Sequence, residues 1–448
     1  MNMLQQHSWR ESFRVYLRPR VIAMLFLGFQ AGLPFLLVFS TLTAWLKDEG
    51  LTKSTIGFFA WVGITYSIKV FWAPVIDHIK LPILGDILGH RRSWMLLAMS
   101  GVGIGLFYLS SLDPSENLQT VALAALFIAF CSATQDIVID AYRIEAISKE
   151  FQAPMAGAYQ AGWRIGANFI GGALALYLAD IYSWNFAYIA MACFVAIGIV
   201  TVLIINEPDS HAAKALIPDE ARVKRYLKNT PNPNRFIAWI IGAIICPFTE
   251  FFARNKNIAI GLLLFIGLYR ISDITLAVMA NPFYLDLGFS KSEIAFVTKI
   301  IGIIFTISGA LLGGMYVIKQ GVYSALLVGS VMVTATNLAF AILAYQGHDM
   351  FWFTTVIGMD NFSGGFASSA FLAFLASLTN KAYTATQYAL FSSLMTLFPK
   401  FISGFSGVVV DLTSYTFFFI YVACLGIPSM LMVLWLMRQE TISQQMDN

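Results

Sequence analysis

The sequence predicts an all-α membrane protein with about twelve transmembrane helices in two halves of six. Three observations support this fold class. Hydrophobic residues make up 58% of the 448 positions and charged residues only 12%, about half the charged share of an average soluble domain. Apolar stretches of about 20 residues recur along the chain, as a lipid bilayer requires. A short motif also repeats at the corresponding place in each half.

Apolar stretches long enough to cross a bilayer fall into two groups of six, separated by a polar stretch. The first group is 21–46, 55–76, 94–112, 119–147, 154–179 and 185–206. The second group is 258–286, 291–318, 321–345, 350–378, 382–408 and 413–437. We therefore expect an N-terminal six-helix bundle (1–206), a cytoplasmic linker (207–257) and a C-terminal six-helix bundle (258–448).

The linker is the one marked change of composition in the chain. Its polar run PDEARVKRYLKN predicts a short polar helix. Residues 235–252 are apolar, but Pro247 and Glu250 favour a helix lying in the membrane interface over a thirteenth span. A thirteenth span would also give the two halves opposite orientations, which the distribution of basic residues disfavours.

The basic residues indicate the orientation of the helices in the membrane. If the N-terminus is cytoplasmic, the cytoplasmic segments hold 20 of the 28 Lys and Arg residues. The outer loops then hold only Lys47, Lys53 and Lys291, and the remaining five lie within spans. Because cytoplasmic loops are enriched in Lys and Arg, we expect both termini in the cytoplasm.

An internal repeat connects the two halves. EGLTKSTIGFF (49–59) follows the first span, and LGFSKSEIAFV (287–297) follows the seventh. In both, a Ser or Thr stands where the next helix needs an N-cap. This repetition predicts a duplicated six-helix unit. Two parallel halves of six are the major facilitator plan, in which substrate binds near the membrane midplane between the halves.

Ionisable residues inside the first six spans are the first candidate site, because a charge in hydrocarbon needs a partner or a wet cavity. Asp136 and Asp140 are one helical turn apart, a spacing that suits proton coupling because like charges resist joint ionisation. Arg143 is within reach of Asp140, so an ordinary helix-end ion pair remains an alternative. Arg164 is a candidate counter-charge for Asp136, a ligand for an anionic substrate, or a structural ion-pair partner.

The second six spans carry matching candidates. Arg270 and Asp273 are three residues apart and can neutralise each other, and Asp273 is a further proton-coupling candidate. Amide, hydroxyl, aromatic and charged groups suit a carbohydrate-like ligand, which needs hydrogen bonds and apolar ring faces. The predicted substrate-binding residues, in both halves, are Gln30, Gln135, Gln160, Arg164, Tyr269, Asp360, Asn361 and Lys400.

A third candidate site lies at the cytoplasmic end of the second span. Asp77 ends that span and precedes LGHRRSW (88–94). We expect Asp77 to act as a gate latch that holds the cytoplasmic ends together through Arg91 or Arg92. Ordinary anchoring of the basic pair at the cytoplasmic surface is the alternative.

Catalytic and nucleotide-binding motifs are missing from the sequence. It contains no HExxH, GxSxG or P-loop pattern, and no Lys/Arg-rich run that favours nucleic acid. We therefore expect a non-enzymatic secondary transporter without cofactor or metal. A non-transporting membrane receptor and a membrane-embedded enzyme remain alternatives.

Several stretches resemble the AmpG family of muropeptide permeases. They are GFQAGLPF (28–35), FFAWVGITYSIKVFWAPVID (58–77), GHRRSW (89–94), AFCSATQDIVIDAYRIE (129–145) and NKAYTATQYAL (380–390). The resemblance runs from about Pro19 to Val433, and 129–145 is its most specific part. It places functional aspartates of the family on Asp136 and Asp140, and a family glycine on Gly28 or Gly32.

The resemblance implies proton-driven import of N-acetylglucosaminyl-anhydro-N-acetylmuramyl sugars and their peptides, from periplasm to cytoplasm, for cell-wall recycling. It implies a multi-pass protein of the bacterial inner membrane, and we expect a monomer. Two positions depart from the family: Lys400 replaces an arginine, and Ile139 precedes Asp140 where the family has Phe. Acetyl-coenzyme A or a sugar is the alternative substrate class.

Overall fold

The computed structural model describes residues 14–51, 59–148, 151–208, 220–230, 234, 241–403 and 405–446. Within these ranges every regular element is helical. Ten helices are long and apolar enough to cross a membrane. They are Pro19–Asp48, His90–Leu109, Leu118–Glu145, Trp184–Ile204, Cys246–Asp286, Glu293–Gln320, Val322–Gln346, Met350–Leu378, Lys381–Leu412 and Tyr415–Gln439.

The N-terminal half, which we call the N half, comprises the elements from residue 15 to residue 204. Its α-helices are α1 (Pro19–Leu37), α2 (Ser40–Asp48), α3 (Ile64–Ser67), α4 (Ala73–His78), α5 (Leu84–Leu88), α6 (His90–Leu109), α7 (Leu118–Glu145), α8 (Gln152–Arg164), α9 (Ala175–Ile181) and α10 (Trp184–Ile204). A π-helix, Ile165–Leu174, joins α8 to α9. Short 3₁₀ turns at Val15–Leu17, Ala60–Gly63 and Lys69–Phe71 complete the half.

Between the halves lie α11 (Glu220–Asn229), a π-helix (Ile241–Ile245), α12 (Cys246–Asn255) and a 3₁₀ turn (Lys256–Ile258). The short polar helix expected in the linker is α11. Residues 235–240 of the expected interfacial helix lie outside the described residues. The described remainder is packed against the protein, because Cys246, Pro247 and Phe251 are buried.

The C-terminal half, which we call the C half, runs from residue 259 to residue 446. Its α-helices are α13 (Ala259–Leu268), α14 (Ile271–Asp286), α15 (Lys291–Phe296), α16 (Gly302–Gln320), α17 (Val322–Gln346), α18 (Met350–Leu378), α19 (Thr384–Ser403), α20 (Ser406–Leu412) and α21 (Tyr415–Met446). A π-helix, Val297–Ile301, joins α15 to α16, and a 3₁₀ turn, Lys381–Tyr383, precedes α19.

Six of the twelve expected spans differ from a single α-helix, and four of these are divided between the pairs α1 and α2, α13 and α14, α15 and α16, and α19 and α20. The span expected at 55–76 is a series of short helical pieces from Ala60 to His78. The span expected at 154–179 is helical from Gln152 to Ile181, but the π-helix interrupts it. In the C half, the repeated motif supplies the N-cap of α15: Ser290 is the N-cap residue, and it forms a capping box with Glu293. Its partner at 52–58 lies outside the described residues.

Glycines allow the helices of each half to pack backbone against backbone. A Cβ added to Gly162 in α8 would lie 1.9 Å from the Leu25 carbonyl oxygen of α1. In the C half, a Cβ on Gly309 of α16 would lie 2.0 Å from the Phe362 carbonyl oxygen of α18. Small residues permit this close approach in membranes, where lipid offers no hydrophobic drive for helix association. The tightest packing therefore joins α1 to α8 and α16 to α18.

The halves have separate apolar cores, and the bundle has two distinct ends. One core is built almost wholly from the N half, with Leu372, Ala385 and Ala389 joining it from the C half. Two further cores lie in the C half, and one of them also includes Ile144 of the N half and Phe251 of α12. The end that contains Asp77, α12 and the start of α19 is called the linker end below. The opposite end, which contains Asp48 and Tyr415, is called the far end.

Candidate functional site

A cavity of about 290 Å³ lies between the two halves. Its charged lining residues are Arg164 from the N half and Arg270, Asp273, Lys299 and Asp360 from the C half. Asparagine amides from Asn168, Asn281 and Asn361 line the same space. Because three cations and two carboxylates share it, the cavity supplies the wet environment that charges in membrane helices need.

Two breaks in helical geometry place the arginines in this cavity. Arg164 is the last residue of α8, where the π-helix begins. π-Helical turns are frequent at functional sites. Arg270 is the N-cap of α14, between α13 and α14. Its Nη2 donates to Asp273 Oδ2 at 3.3 Å, so the predicted neutralising pair is present and faces the cavity.

Arg164 is the cation that the N half contributes. Its Nε is buried and, among the described residues, has no hydrogen-bond partner. The nearby charges that interact with it are those of Arg270 and Lys299, two further cations, and not that of Asp136. The proposed Asp136–Arg164 pair is therefore wrong for this conformation. A half-buried guanidinium with a buried, unused donor beside other cations is suited to bind an anion.

Asp360 and Asn361 lie on α18 on the opposite wall of the cavity. Asn361 Oδ1 accepts from Thr306 Oγ1 at 2.9 Å, and its Nδ2 donates to the Ile357 carbonyl oxygen at 2.9 Å. Asp360 Oδ1 is 3.5 Å from Thr336 Oγ1, a long contact for a carboxylate acceptor. Asn361 is thus held in place, whereas Asp360 keeps acceptor capacity for a proton or a ligand.

At the linker end, Asp77 joins the halves directly. Its Oδ1 accepts from Arg91 Nη2 at 2.8 Å and from the Ala385 backbone N–H at 3.1 Å. Its Oδ2 accepts from both the Thr386 N–H and the Thr386 hydroxyl, each at 2.8 Å. Ala385 and Thr386 belong to the first turn of α19, whose N–H groups have no partner within the helix. A carboxylate of the N half therefore caps a helix of the C half and closes this end.

The expected gate latch pairs Asp77 with Arg91 and not with Arg92. Arg91 binds Asp77 and also Glu145 at 2.7 Å, and the side chains of these two acids are only 2% and 11% exposed. Arg92 instead donates to the Val202 and Leu203 carbonyl oxygens at the end of α10. Glu207 accepts from the backbone N–H groups of Arg91 and Arg92, and burial raises the pKa of Glu207. Arg92 and Glu207 thus fasten α6 to α10 within the N half.

Arg143 forms a second contact between the halves, which the sequence did not predict. Its Nη2 donates to the Tyr388 hydroxyl of α19 at 2.6 Å and lies 3.3 Å from Asp140 Oδ1. The guanidinium is fully buried over the Tyr388 ring, 5.1 Å from its centre. Arg143 and Asp140 are the i, i+3 pair expected from the sequence, but the pair lies inside the closed linker end rather than at the surface.

Asp136 lies outside the cavity lining. It interacts electrostatically with Lys69 and Asp140 within the N half. Its Oδ1 is buried and has no hydrogen-bond partner among the described residues. Two of the three carboxylates predicted for proton coupling, Asp136 and Asp140, therefore act on each other, but neither lines the cavity with Arg164 and Asp273.

Other predicted substrate-binding residues also lie outside the cavity. Gln30 and Gln135 are fully buried and bind each other, since Gln135 Nε2 donates to the Gln30 carbonyl oxygen at 3.0 Å. Tyr269 is stacked on Phe371, with ring centres 4.5 Å apart, and its hydroxyl donates to the Leu326 carbonyl oxygen. Gln160 is half-buried and Lys400 is exposed, and neither lines the cavity. Lys299, for which the sequence gave no role, lines it instead.

Comparisons with known proteins agree on one family. Residues 81–399 match the Major Facilitator Superfamily. The anhydromuropeptide permease of Escherichia coli strain K12 is 31% identical over 423 residues, covering 94% of this chain and 80% of that protein. A Rickettsia felis protein that carries the name AmpG 4 is 32% identical over 425 residues, covering 94% of this chain and 98% of that protein.

Solved structures of transporters have the same fold. FucP, a Major Facilitator Superfamily transporter solved in the outward conformation, has a TM-score of 0.66 at 11% identity, covering 94% of this chain and 99% of FucP. The proton:xylose symporter XylE, bound to a deoxy sugar, has a TM-score of 0.62 at 12% identity, covering 94% of each chain. At these identities the likeness concerns the fold alone.

Proposed function

Because this chain belongs to the Major Facilitator Superfamily, in the group of AmpG-named transporters, we propose that it carries anhydromuropeptides into the cell together with protons. It is a multi-pass membrane transporter. The substrate class follows from the similarity to the Escherichia coli anhydromuropeptide permease. The observation that carries the proposal is the charged cavity that Arg164 of one half shares with Arg270 and Lys299 of the other.

The cations of the cavity suit the acidic groups of such a substrate. An anhydromuropeptide carries carboxylates together with hydroxyl and acetamido groups. Arg164 and Lys299 lie on different halves, so one carboxylate held between them would draw the halves together. The asparagines of the lining offer both donors and acceptors for the sugar groups. Substrate binding and closure of the far end are thereby linked.

Asp273 supplies a route for coupling this binding to a proton. In the structure Asp273 forms a 3.3 Å ion pair with Arg270, so this guanidinium already has an anionic partner. If Asp273 takes up a proton, the pair is lost and the Arg270 guanidinium, still cationic, becomes free for the substrate carboxylate. The net charge of the cavity also rises by one, which favours an anion. Protonation and anionic substrate binding therefore support each other.

The linker-end contacts set the direction of access. Asp77, Arg91 and the start of α19 close this end, with Arg143 and Tyr388 as a second layer. We assign the linker end to the cytoplasm, with both termini, and the protein to the inner membrane, in line with the bias of Lys and Arg. Substrate then enters from the periplasmic far end. Release to the cytoplasm requires Asp77 to leave the first turn of α19.

Asp273→Asn tests the coupling, because the amide imitates the protonated carboxyl group. The assay is uptake of radiolabelled GlcNAc-anhydroMurNAc by proteoliposomes, with and without an imposed inward proton gradient. The wild type should accumulate the sugar only with the gradient. The variant should equilibrate the sugar across the membrane at similar rates in both conditions and should not concentrate it.

Asp286→Asn is the matched control, since Asp286 lies on the same helix and accepts from Tyr415 at the far end, outside the cavity. It should behave as the wild type does. Gradient-driven accumulation that survives Asp273→Asn would contradict the coupling route. Wild-type vesicles that take up no anhydro-sugar in either condition would contradict the substrate assignment.

A further inference from the structure

Residues 241–255 cross the junction between the halves at the linker end. The π-helix Ile241–Ile245 packs against α4 of the N half, which carries Asp77. The following helix, α12, packs against α19 of the C half, where the Phe251 and Phe391 ring centres are 5.2 Å apart. We propose that this segment, called the strap below, positions the start of α19 to receive Asp77, with Glu250 as the positioning residue.

Glu250 fixes the turn that leads into α19. Its Oε1 accepts from Asn380 Nδ2 at 2.8 Å, and its Oε2 accepts from Gln387 Nε2 at 2.7 Å. Arg254, one turn along α12, holds the carboxylate by an ion pair at 3.0 Å. Gln387 in turn accepts from the Asn380 backbone N–H at 2.8 Å and donates to the Pro247 carbonyl oxygen at 2.9 Å. The stretch from Asn380 to Gln387 is thus closed into a loop by one side chain of the strap.

The donors that bind Asp77 lie inside this loop. They are the N–H groups of Ala385 and Thr386 and the Thr386 hydroxyl. Hydrogen bonds to a carboxylate are strong only when the donors are well placed. Asp77 of the N half therefore binds the first turn of α19, while Glu250 of the strap binds Asn380 and Gln387 on either side of that turn. Loosening Glu250 should displace the donors and weaken closure of the linker end, although among the described residues the hydrogen bonds and the ion pair of Glu250 all go to the strap and the C half.

The experiment compares the accessibility of the two ends in purified protein without substrate, so its outcome does not depend on the substrate assignment. Two reporter cysteines are placed in a variant whose four native cysteines are replaced. Ala389→Cys reports on the linker end, because Ala389 is 2% exposed and packs into the core of the N half. Ala277→Cys reports on the cavity, which it lines. The readout is the rate of alkylation by a bulky maleimide.

Glu250→Gln should change the two rates in opposite directions. An amide nitrogen would face one of the two amide donors that now bind the carboxylate, so the loop loses a bond. We expect about tenfold faster labelling at Ala389→Cys and slower labelling at Ala277→Cys, because opening one end closes the other. Glu49→Gln is the matched control: it removes the same charge at the far end, where Glu49 accepts from Trp45 of its own half, and should change neither rate.

Exchanging the carboxylate and the amide between positions 250 and 387 distinguishes a positioning role of Glu250 from a general effect on protein stability. In the double variant Glu250→Gln with Gln387→Glu, the carboxylate and the amide change places, and the bonds to Asn380 can re-form. The bond from residue 387 to the Pro247 carbonyl and the ion pair of Arg254 are not restored, so labelling at Ala389→Cys should return part of the way to the wild-type rate. Glu250→Gln protein that labels faster at both reporters would show a merely structural role and overturn the proposal. Unchanged rates at both reporters would overturn it as well.

Discussion

Replacing Asp77 with Asn should open the linker end of the bundle. The Asp77 side chain is only 2% exposed and accepts four bonds, three of them from α19 in the other half. Asn keeps one acceptor oxygen, but its amide nitrogen would face N–H and O–H donors. The Arg91 guanidinium keeps Glu145 as a partner, so the buried cation is not left unpaired. The loss is therefore concentrated in the contact between the halves.

The size of the effect follows from the bonds removed. A hydrogen bond to a charged group contributes about 1.5–3 kcal/mol net, and Asn loses roughly two of them at the start of α19. Some of that loss is recovered by solvent, which leaves about 3 kcal/mol favouring the closed linker end. This corresponds to a shift of about 100-fold in the ratio of closed to open molecules. A protein that is about 99% closed would become about half closed.

Distances between paired spin labels can measure this shift. Ser148→Cys and Lys381→Cys label the two halves at the linker end, and Glu116→Cys with Gln346→Cys labels them at the far end; all four positions are exposed. In the background without native cysteines, Asp77→Asn should add a longer linker-end distance and a shorter far-end distance, each in about half of the molecules.

Asp86→Asn provides the matched control for this measurement. Asp86 pairs with Lys80 on the surface of the N half, where both side chains are mostly exposed, so its loss should leave both distance distributions unchanged. A single wild-type linker-end distance in correctly folded Asp77→Asn protein would refute the capping argument. So would an Asp86→Asn effect of equal size, because closure would then respond to charge alone.

Four further outcomes are expected. Tyr388→Phe removes the 2.6 Å bond to Arg143 and should shift the same linker-end distance distribution toward open by about tenfold. Arg164→Lys should weaken anhydromuropeptide binding to detergent-solubilised protein by about tenfold or more, since lysine lacks the planar fork that holds a carboxylate; unchanged affinity would exclude Arg164 as a ligand. Burial raises the pKa of Glu207, so the free energy of unfolding of the wild type should fall as the pH rises through this raised pKa. The melting temperature of Glu207→Gln should change less than that of the wild type between pH 4.5 and 8. Gly162→Ala should cost about 1–3 kcal/mol or more from overpacking against α1, whereas Gly407→Ala, with only ordinary contact near its Cβ position, should melt as the wild type does.

Local patterns in the sequence were enough to predict the fold class and several pairs. Apolar length identified the spans, and i, i+3 spacing identified Arg270 with Asp273 and Arg143 with Asp140. The Asp77–Arg91 contact was also predicted, because a helix-end acid and a basic pair lie only 14 residues apart. Helix geometry alone constrains the two i, i+3 pairs, and the short connection between α4 and α6 keeps Asp77 near Arg91.

Contacts between the halves could not be predicted in the same way. Asp77 and Ala385 are 308 residues apart, and Arg143 and Tyr388 are 245 apart. Nothing at either position signals its partner, because two of the three donors at Ala385 and Thr386 are backbone groups that every helix start possesses. The latch was therefore expected to end at Arg91 or Arg92, whereas its cross-half partner is the first turn of α19.

Buried amides were misassigned for a different reason. Gln30 and Gln135 stand in apolar helices, which favoured a wet cavity, but each amide carries a donor and an acceptor. Between α1 and α7, Gln30 Nε2 donates to Gln135 Oε1 and Gln135 Nε2 donates to the Gln30 backbone carbonyl oxygen. The pair is thus partly satisfied inside the core, although Gln30 Oε1 has no partner among the described residues. Conversely, Lys299 looked unexplained in the sequence, and only the packing of the π-helix Val297–Ile301 beside α18 brings it to the cavity with Asp360.

Substrate-driven proton movement is the most direct test of the central claim, that one cavity binds an anionic cell-wall fragment and a proton together. Proteoliposomes containing a trapped pH indicator are diluted into GlcNAc-anhydroMurNAc with no imposed pH gradient. The account predicts that the vesicle interior acidifies as the sugar enters, and that Asp273→Asn abolishes the acidification while sugar still enters. Sugar entry by the wild type without any change in internal pH would contradict it.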